Sequence, residues 1–224
     1  MTLTFRAHLR RRAEAAGLAV NESWLDPLEA YATLLAKWNA RINLTALPVA
    51  PMTDEAIDRL FIEPLAAARH FPEGAVAWFD LGSGGGSPAI PLKVVHPSGS
   101  LRMVEAKSRK AAFLREVIRT LELPQAEVLE ARFQDVAQAR PASADVVTVR
   151  AVKLDDSRPT AASLLKNGGW LLYFGQHCDD SAESAVLLDG FVETGAFLLT
   201  KAGVATPANY LLRYSRSFHV EQKN

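Results

Sequence analysis

Residues 79–95 read FDLGSGGGSPAIPLKVV. The apolar run that ends at Leu81 predicts a short buried strand, Val76–Leu81, and the glycines after it predict a tight turn. Pro88 suits the first turn of a following helix, where a missing N–H costs nothing. In a doubly wound sheet the first strand-to-helix turn uses glycines, because a backbone without Cβ atoms can approach a ligand closely. This stretch therefore predicts an α/β fold with a ligand site at the glycine turn.

The sequence after this stretch alternates short apolar segments with amphipathic ones. This alternation predicts βαβ units and a doubly wound, mostly parallel sheet. FVETGAFLLT at 191–200 and NYLLRYSRSF at 209–218 predict an antiparallel pair that closes the C-terminal edge of the sheet. The further predicted strands are Ser100–Ala106, Ala126–Ala131, Ala144–Ala151 and Gly168–Gly175, and the predicted helices are Ser108–Leu121 and Asp155–Leu165.

The N-terminal part of the sequence predicts helices only. Apolar residues at helical spacing predict helices over Leu3–Ala16 and Thr53–Arg69. Asn21 is expected to be the N-cap of another helix, which continues to Trp38. We therefore divide the chain into a helical N-terminal appendage, residues 1–73, and an α/β domain, residues 74–224.

The composition is that of an ordinary globular protein: 224 residues, of which 49% are hydrophobic and 22% charged, with no net charge. The balanced charge argues against a protein that coats nucleic acid by bulk charge, although it permits a local basic patch. The single Cys178 excludes an internal disulfide framework, and metal-site cysteine spacing is absent. Without a long apolar run or heptads, we expect a cytoplasmic monomer with no metal and no membrane contact.

The glycine spacing bears on the identity of the ligand. Asp80-x-Gly82-x-Gly84-x-Gly86 resembles the first motif of S-adenosylmethionine-dependent methyltransferases. A dinucleotide fingerprint, G-x-G-x-x-A from Gly84, also fits, but it leaves Asp80 and Gly82 without a role. The next predicted strand ends at Glu105, where a carboxylate is placed to accept hydrogen bonds from two ribose hydroxyls. Since both cofactors contain such a ribose, Glu105 does not discriminate between them.

Several segments together resemble the bacterial RsmG/GidB family of small-subunit ribosomal RNA methyltransferases. They are WNARINLTAL (38–47), PLAAARHFPEGA (64–75), FDLGSGGGSPAIPLKVVHP (79–97), EAKSRKAAFLREV (105–117), EARFQDV (130–136), VTVRAV (147–152) and YFGQ (173–176). The resemblance covers roughly residues 22–176. It implies a Rossmann-like methyltransferase domain over 74–224 that transfers a methyl group from S-adenosylmethionine to N7 of a guanine, with ribosomal RNA or the small subunit as partner.

The same resemblance implies roles for individual residues. Glu105 stands at the ribose position, and Phe133 and Gln134 stand around the adenine. The full set implied to bind the cofactor is Asp80, Gly82, Gly84, Gly86, Ser87, Glu105, Phe133, Gln134 and Arg150. The residues implied to contact RNA are Arg109, Lys110 and Arg132.

Arg150 is the one residue that we expect to be catalytic. Guanine N7 carries an exposed lone pair and no proton, so its methylation needs no general base. This agrees with a sequence in which none of the five histidines has a partner motif. The planar fork of Arg150 is suited to hold guanine O6 or the cofactor carboxylate. The alternative is a structural ion pair of Arg150 with Asp80 or Asp155.

Four departures from the family pattern keep other functions open, and one of them is that the strongly basic C-terminal strand of the family is here NYLLRYSR. Gln134 replaces a Glu, Leu60 replaces a His, and Phe174 replaces a Lys. A methyltransferase of a small molecule or protein therefore remains an alternative, as does a nucleotide-cofactor oxidoreductase or binding module. Among the basic residues, those at 107–110 favour RNA contact because they follow a strand end, whereas the arginines of the first helix favour an ordinary solvated face.

Overall fold

A seven-stranded sheet forms the centre of the protein in a computed structural model, which describes residues 4–175, 190–200 and 209–216. The strand order is β3-β2-β1-β4-β5-β7-β6; β1 to β5 are parallel, and β7 is antiparallel to both of its neighbours. The strands are β1 Ala77–Leu81, β2 Ser100–Val104, β3 Ala126–Leu129, β4 Ala144–Arg150, β5 Leu165–Gly175, β6 Phe191–Thr200 and β7 Asn209–Arg216. The predicted doubly wound sheet with an antiparallel C-terminal edge is confirmed. Residues 217 and 218 of the predicted last strand lie outside the described residues.

Eight α-helices surround the described sheet. They are α1 Phe5–Ala15, α2 Glu22–Asn39, α3 Asp54–Ile57, α4 Glu63–Ala67, α5 Ala89–Val95, α6 Ser108–Thr120, α7 Phe133–Ala139 and α8 Leu154–Leu164. The side chain of Asn21 accepts a hydrogen bond from the Ser23 N–H, so the predicted N-cap is confirmed. No described helix is long and apolar enough to cross a membrane.

The sheet packs on both faces, because successive strand residues point to opposite sides. Trp78 of β1 belongs to an apolar cluster with α1 to α6, whereas its neighbour Phe79 belongs to a second cluster with α7 and α8. Leu25 of α2 lies in the same cluster as Trp78, so the N-terminal helices share their core with the sheet. The division of the chain at residue 73 stays a prediction.

The predicted helix over Thr53–Arg69 is a composite run. A π turn, Asp58–Ile62, separates α3 from α4, and a 3₁₀ turn, Ala68–His70, ends the run. Pro64 has no N–H with which to close a helical hydrogen bond to the Leu60 carbonyl, and this accounts for the π turn. The Leu60 carbonyl is therefore free for a partner outside the helix.

Candidate active site

A cavity of about 570 Å³ opens at the carboxyl ends of the parallel strands. Gly82 follows β1, Glu105 follows β2 and Arg150 ends β4, and all three line it. The strand order reverses between β1 and β4, which is where doubly wound proteins bind their ligands. The remaining lining residues are Leu35, Leu44, Thr45, Ala46, Leu47, Glu55, Arg59, Leu60, Ser83, Gly84, Gly85, Ser87, Lys107, Lys110, Ala151 and Val152.

Two of the predicted glycines have different roles in the turn. Gly84 has φ +52°, and a Cβ atom placed on it would meet no heavy atom closer than 3.7 Å, so its open side faces the cavity. Gly86 has φ +88°, and a Cβ atom there would lie 2.9 Å from Ile90 Cγ1 and 3.3 Å from Leu114 Cδ2. Gly86 is buried and does not belong to the cavity wall. Its lack of a side chain serves packing of the turn against α5 and α6.

Glu105 holds the glycine turn through its carboxylate. Oε2 accepts a hydrogen bond from the Gly84 N–H at 2.9 Å, and Oε1 accepts one from the Lys107 N–H at 2.8 Å. The residue is only 7% exposed, yet it lines the cavity. A carboxylate has about four acceptor positions, so each oxygen retains one for a ligand hydroxyl.

Asp80 is fully buried beneath the turn and is not part of the cavity wall. The Thr148 hydroxyl donates to Asp80 Oδ1 at 2.5 Å, and the Trp78 indole N–H donates to Thr148 Oγ1 at 2.9 Å. Burial raises the pKa of Asp80 to about 6, although its hydrogen bonds and the charge of Arg150 act in the opposite direction. Because Asp80 bonds to a protein side chain, Thr148, and lies outside the cavity wall, we assign it a structural role beneath the turn.

The segment after α2 forms part of the cavity wall and lies against the glycine turn, since a Cβ atom on Gly85 would lie 3.2 Å from the Leu44 carbonyl oxygen. The Asn39 side chain accepts hydrogen bonds from the N–H groups of Leu44 and Thr45, at 2.9 and 3.0 Å, which fixes the chain as it leaves α2. The Tyr31 hydroxyl donates to the Gly85 carbonyl at 2.6 Å. These contacts give the WNARINLTAL segment a structural role: they place residues 44–47 on the cavity wall.

Arg150 lies in the wall with most of its donors already engaged. Nη2 is 2.6 Å from Oε2 of Glu63, and Nη1 donates to the Arg59 carbonyl and, at 3.1 Å, to Ser87 Oγ. Its guanidinium carbon lies 4.7 Å from the centre of the Phe174 ring. The partner is Glu63, so the ion pair considered from sequence, with Asp80 or Asp155, is wrong; Asp155 pairs with Arg158 instead.

The π turn supplies acceptors to the site. Ser87 Oγ donates at 3.0 Å to the Leu60 carbonyl that Pro64 leaves free. The adjacent Arg59 carbonyl accepts from Arg150. Ser87 and Arg150 are therefore tied to the helical run as well as to the sheet.

The structure does not bring all predicted site residues to the cavity. Arg132 is the exposed N-cap residue of α7, a helix that was not predicted, and Gln134 in its first turn is also exposed. Phe133 packs against the second apolar cluster. None of the three lines the cavity, whereas Lys110 does and Arg109 lies on the adjoining surface. The adenine and RNA roles of these residues stay predictions.

Sequence reasoning missed Arg59 and Glu63 altogether. Arg59 Nη1 donates to Asn209 Oδ1 at 2.7 Å, and Arg59 Nε lies 3.8 Å from Glu63 Oε1. A signal was present, since Glu63 is a charged residue within an otherwise apolar run, FIEPLAAA. A buried carboxylate requires a partner, and its position beside Pro64 marks the helical irregularity. Within the described residues, no group of three or more potential metal ligands occurs.

Known proteins resemble this chain over most of its length. The family described as rRNA small subunit methyltransferase G (GidB) matches residues 25–188. The ribosomal RNA small subunit methyltransferase G of Neisseria meningitidis serogroup A / serotype 4A is 37% identical over 166 residues, which cover 74% of this chain and 77% of that protein. The protein of the same name from Xanthomonas axonopodis pv. citri is 38% identical over 168 residues, covering 74% and 71%.

The fold also recurs in solved structures. M. jannaschii TYW2 in complex with AdoMet superimposes with a TM-score of 0.52 at 14% sequence identity, covering 68% of this chain and 74% of that one. At this level of identity the likeness concerns the fold alone.

Proposed function

The chain belongs to the rRNA small subunit methyltransferase G family, so it is a ribosomal RNA methyltransferase that uses S-adenosylmethionine, and we propose that the atom it methylates is N7 of a guanine. The resemblance deduced from sequence is thereby confirmed. The dinucleotide alternative loses its support, because the match spans the glycine turn and the segments on both sides of it.

The observation that carries the proposal is the fit of the glycine turn and Glu105 to a nucleoside with a charged amino-acid tail. Glu105 retains one acceptor position on each oxygen for the two ribose hydroxyls. The open side of Gly84 leaves backbone accessible where a Cβ atom would otherwise project into the cavity. We propose that these groups bind the cofactor. Asp80 and Gly86 lie outside the cavity wall and support the turn, whereas Ser87 lines the cavity and stays a candidate for contact with the cofactor.

The sulfonium of S-adenosylmethionine, when bound, supplies an activated methyl group. The protein must then hold a guanine in line with that group and exclude water. Such a site lowers the activation barrier mainly by orienting the two reacting groups. Among the described residues of the cavity wall the carboxylates are Glu55 and Glu105, and the Glu105 carboxylate is engaged by the glycine turn, so we assign no residue the role of general base. That agrees with an acceptor such as N7, from which no proton has to be removed before attack.

Arg150 is the residue that we propose orients the guanine. Its guanidinium lines the cavity and is held on one side by Glu63 and on another by Ser87 and the Arg59 carbonyl. A fork fixed in this way can donate to O6, which lies beside N7 on the same base edge. Arg59 adds a second guanidinium at the same wall. The pair would discriminate guanine from adenine, whose N6 is a donor.

Methylation of small-subunit RNA in vitro tests this function. The purified protein is incubated with methyl-labelled S-adenosylmethionine and either naked 16S RNA or 30S subunits that lack the modification. Nucleosides are then separated and identified by mass spectrometry. N7-methylguanosine as the labelled product is expected; a label on another atom or base, or no transfer to either substrate, would contradict the proposal.

The same proposal includes the compartment, the oligomeric state and the metal requirement of the enzyme. A bacterial ribosomal RNA enzyme works in the cytoplasm, and we propose that this one does so as a monomer without a metal. Sedimentation at micromolar concentration and activity after exhaustive chelation measure these two properties. A stable dimer, or activity that is lost on chelation and restored by a divalent metal, would contradict them.

A further inference from the structure

A small pocket lies beside the cavity, between the end of α2 and the beginning of α6. It has a volume of about 340 Å³ and is lined by Lys37, Trp38, Arg41, Ile42 and Arg109. We propose that this pocket, called here the flanking pocket, binds an unstacked nucleotide of the RNA strand next to the target guanine. The inference rests on the proposed function and adds a substrate contact outside the cavity.

Shared lining residues relate the flanking pocket to the methyl-transfer cavity. A second depression, lined among others by Arg41, Ile42 and Arg109, connects the two, because Lys107 and Lys110 belong both to this depression and to the cavity wall. A strand that places one base in the cavity therefore meets the flanking pocket along a path of basic residues. This shared lining is what connects the pocket with the substrate of the enzyme.

The charges of this surface are uncompensated. The side chains of Lys37, Arg41, Lys107, Arg109 and Lys110 form no ion pair or hydrogen bond within the part of the chain that the structure describes. The arginines of α1 differ: Arg10 pairs with Glu22 at 2.6 Å and Arg11 with Asp54 at 2.5 Å. Two surfaces of similar basic content thus differ in net charge. Of these two surfaces, the one beside the cavity has its described cations available for phosphate groups.

The floor of the flanking pocket is apolar and fixed. The Trp38 indole donates to Glu116 Oε2 at 3.1 Å, and its ring lies 5.8 Å from the ring of Phe113. Trp38 and Ile42 are both half-buried, so part of each remains accessible. An aromatic and aliphatic floor surrounded by three cations matches a single-stranded nucleotide, in which a base contacts the floor and phosphates meet the cations. An acidic peptide would use the cations and leave the floor without a role.

Paired charge removals provide the main test. Lys37→Ala/Arg41→Ala removes two exposed, unpaired cations, and Arg10→Ala/Arg11→Ala removes two exposed, paired ones as the matched control. For the first variant we expect KM for the RNA substrate to rise about ten-fold at 0.15 M salt, and the slope of log affinity against log salt to become shallower by about 1.4, as for two lost phosphate contacts. The kcat at saturating RNA and the Kd for S-adenosylmethionine should be retained. The control should change neither KM nor slope.

Tryptophan fluorescence tests the floor independently of turnover. Binding of oligouridylate 12-mers should quench emission in the wild-type protein, and Trp38→Phe should abolish the quenching whereas Trp24→Phe should preserve it. Polyglutamate of equal charge should not quench.

Each outcome bears on the pocket or on the function separately. The flanking pocket would be overturned by an unchanged KM and salt slope in Lys37→Ala/Arg41→Ala, or by equal losses in the control pair. It would also be overturned by quenching that survives in Trp38→Phe or that occurs with polyglutamate. Absence of RNA methylation by the wild-type protein would instead overturn the proposed function, and the quenching experiment still decides on the pocket.

Discussion

Arg150 at the end of β4 and Glu63 at the start of α4 form a buried ion pair, with Nη2 and Oε2 2.6 Å apart and side chains only 12% and 2% exposed. Burial lowers the pKa of the Arg150 guanidinium, and the charge of Glu63 counteracts this. The pair joins the helical run to the sheet across the cavity wall. Its removal therefore affects both stability and catalysis, and the two effects have to be separated.

A double-mutant cycle separates them. Arg150→Ala removes the partner that lies 2.6 Å from the buried Glu63 carboxylate and leaves the more distant Arg59, at 3.8 Å, so the free energy of unfolding should fall by about 3 kcal/mol. Adding Glu63→Gln removes the buried carboxylate charge and should restore much of that loss, measured by urea unfolding. Single-turnover methylation should remain lost in both variants, because neither contains the guanidinium. Recovery of methylation together with stability in the double variant would assign Arg150 a purely structural role.

Glu105 is expected to contribute to cofactor affinity through its charge. Glu105→Gln keeps the length of the side chain but replaces charged acceptors by a neutral amide, so Kd for S-adenosylmethionine should rise about ten-fold or more. Titration calorimetry measures this directly. Glu130→Gln is the matched control, since Glu130 lies just beyond the neighbouring strand β3 and pairs with Arg115. Equal affinities of the Glu105 variant and the wild type would show that the ribose is bound elsewhere.

The two glycines of the turn should lose different properties on substitution by alanine: Gly84 mainly cofactor affinity and Gly86 mainly stability. Gly84→Ala has room for the methyl group, so its unfolding free energy should fall by only about 1 kcal/mol for the left-handed backbone, while cofactor affinity drops. Gly86→Ala places a Cβ atom 2.9 Å from Ile90 and should destabilise the fold by about 3 kcal/mol through strain and overpacking. Thermal unfolding and cofactor titration of both variants provide the comparison. A stable Gly86→Ala protein with impaired cofactor binding would place Gly86 at the ligand instead.

Asp80 should make the stability of the protein depend on pH. Its pKa is raised by burial to about 6, above the unfolded value of 3.8, so its contribution is fully present below about pH 4 and lost as the pH rises through 6. The loss amounts to about 3 kcal/mol. Asp80→Asn removes this titration, so its unfolding free energy relative to the wild type should improve by that amount between pH 4 and pH 7. A difference between the two proteins that does not vary with pH would contradict the raised pKa.

The sheet and the position of the cavity were predictable because their signals are local. The apolar run before Leu81, the glycines after it and Glu105 at the end of the next strand each depend on residues close in sequence. The topology of parallel strands then brings their carboxyl ends to one edge. No contact between distant segments had to be known for this prediction.

The ion pair and hydrogen bonds of Arg150 were not predictable in the same way. Glu63 lies 87 residues before Arg150, and nothing in the pattern selects it over nearer acids such as Asp155. The π turn depends on Pro64, but its consequence, a free Leu60 carbonyl that Ser87 satisfies, requires the packed structure. The resemblance predicts Phe133 and Gln134 around the adenine, and this stays a prediction; both lie in a short helix outside the cavity wall.

The most direct test of the account is a crystal structure of the protein with S-adenosylmethionine. We predict that the ribose hydroxyls lie within hydrogen-bonding distance of the two Glu105 oxygens, the methionine end follows residues 82–85, and the methyl group points toward Arg150. A nucleoside bound outside this cavity, or one bound within it with its sugar remote from Glu105, would contradict the account.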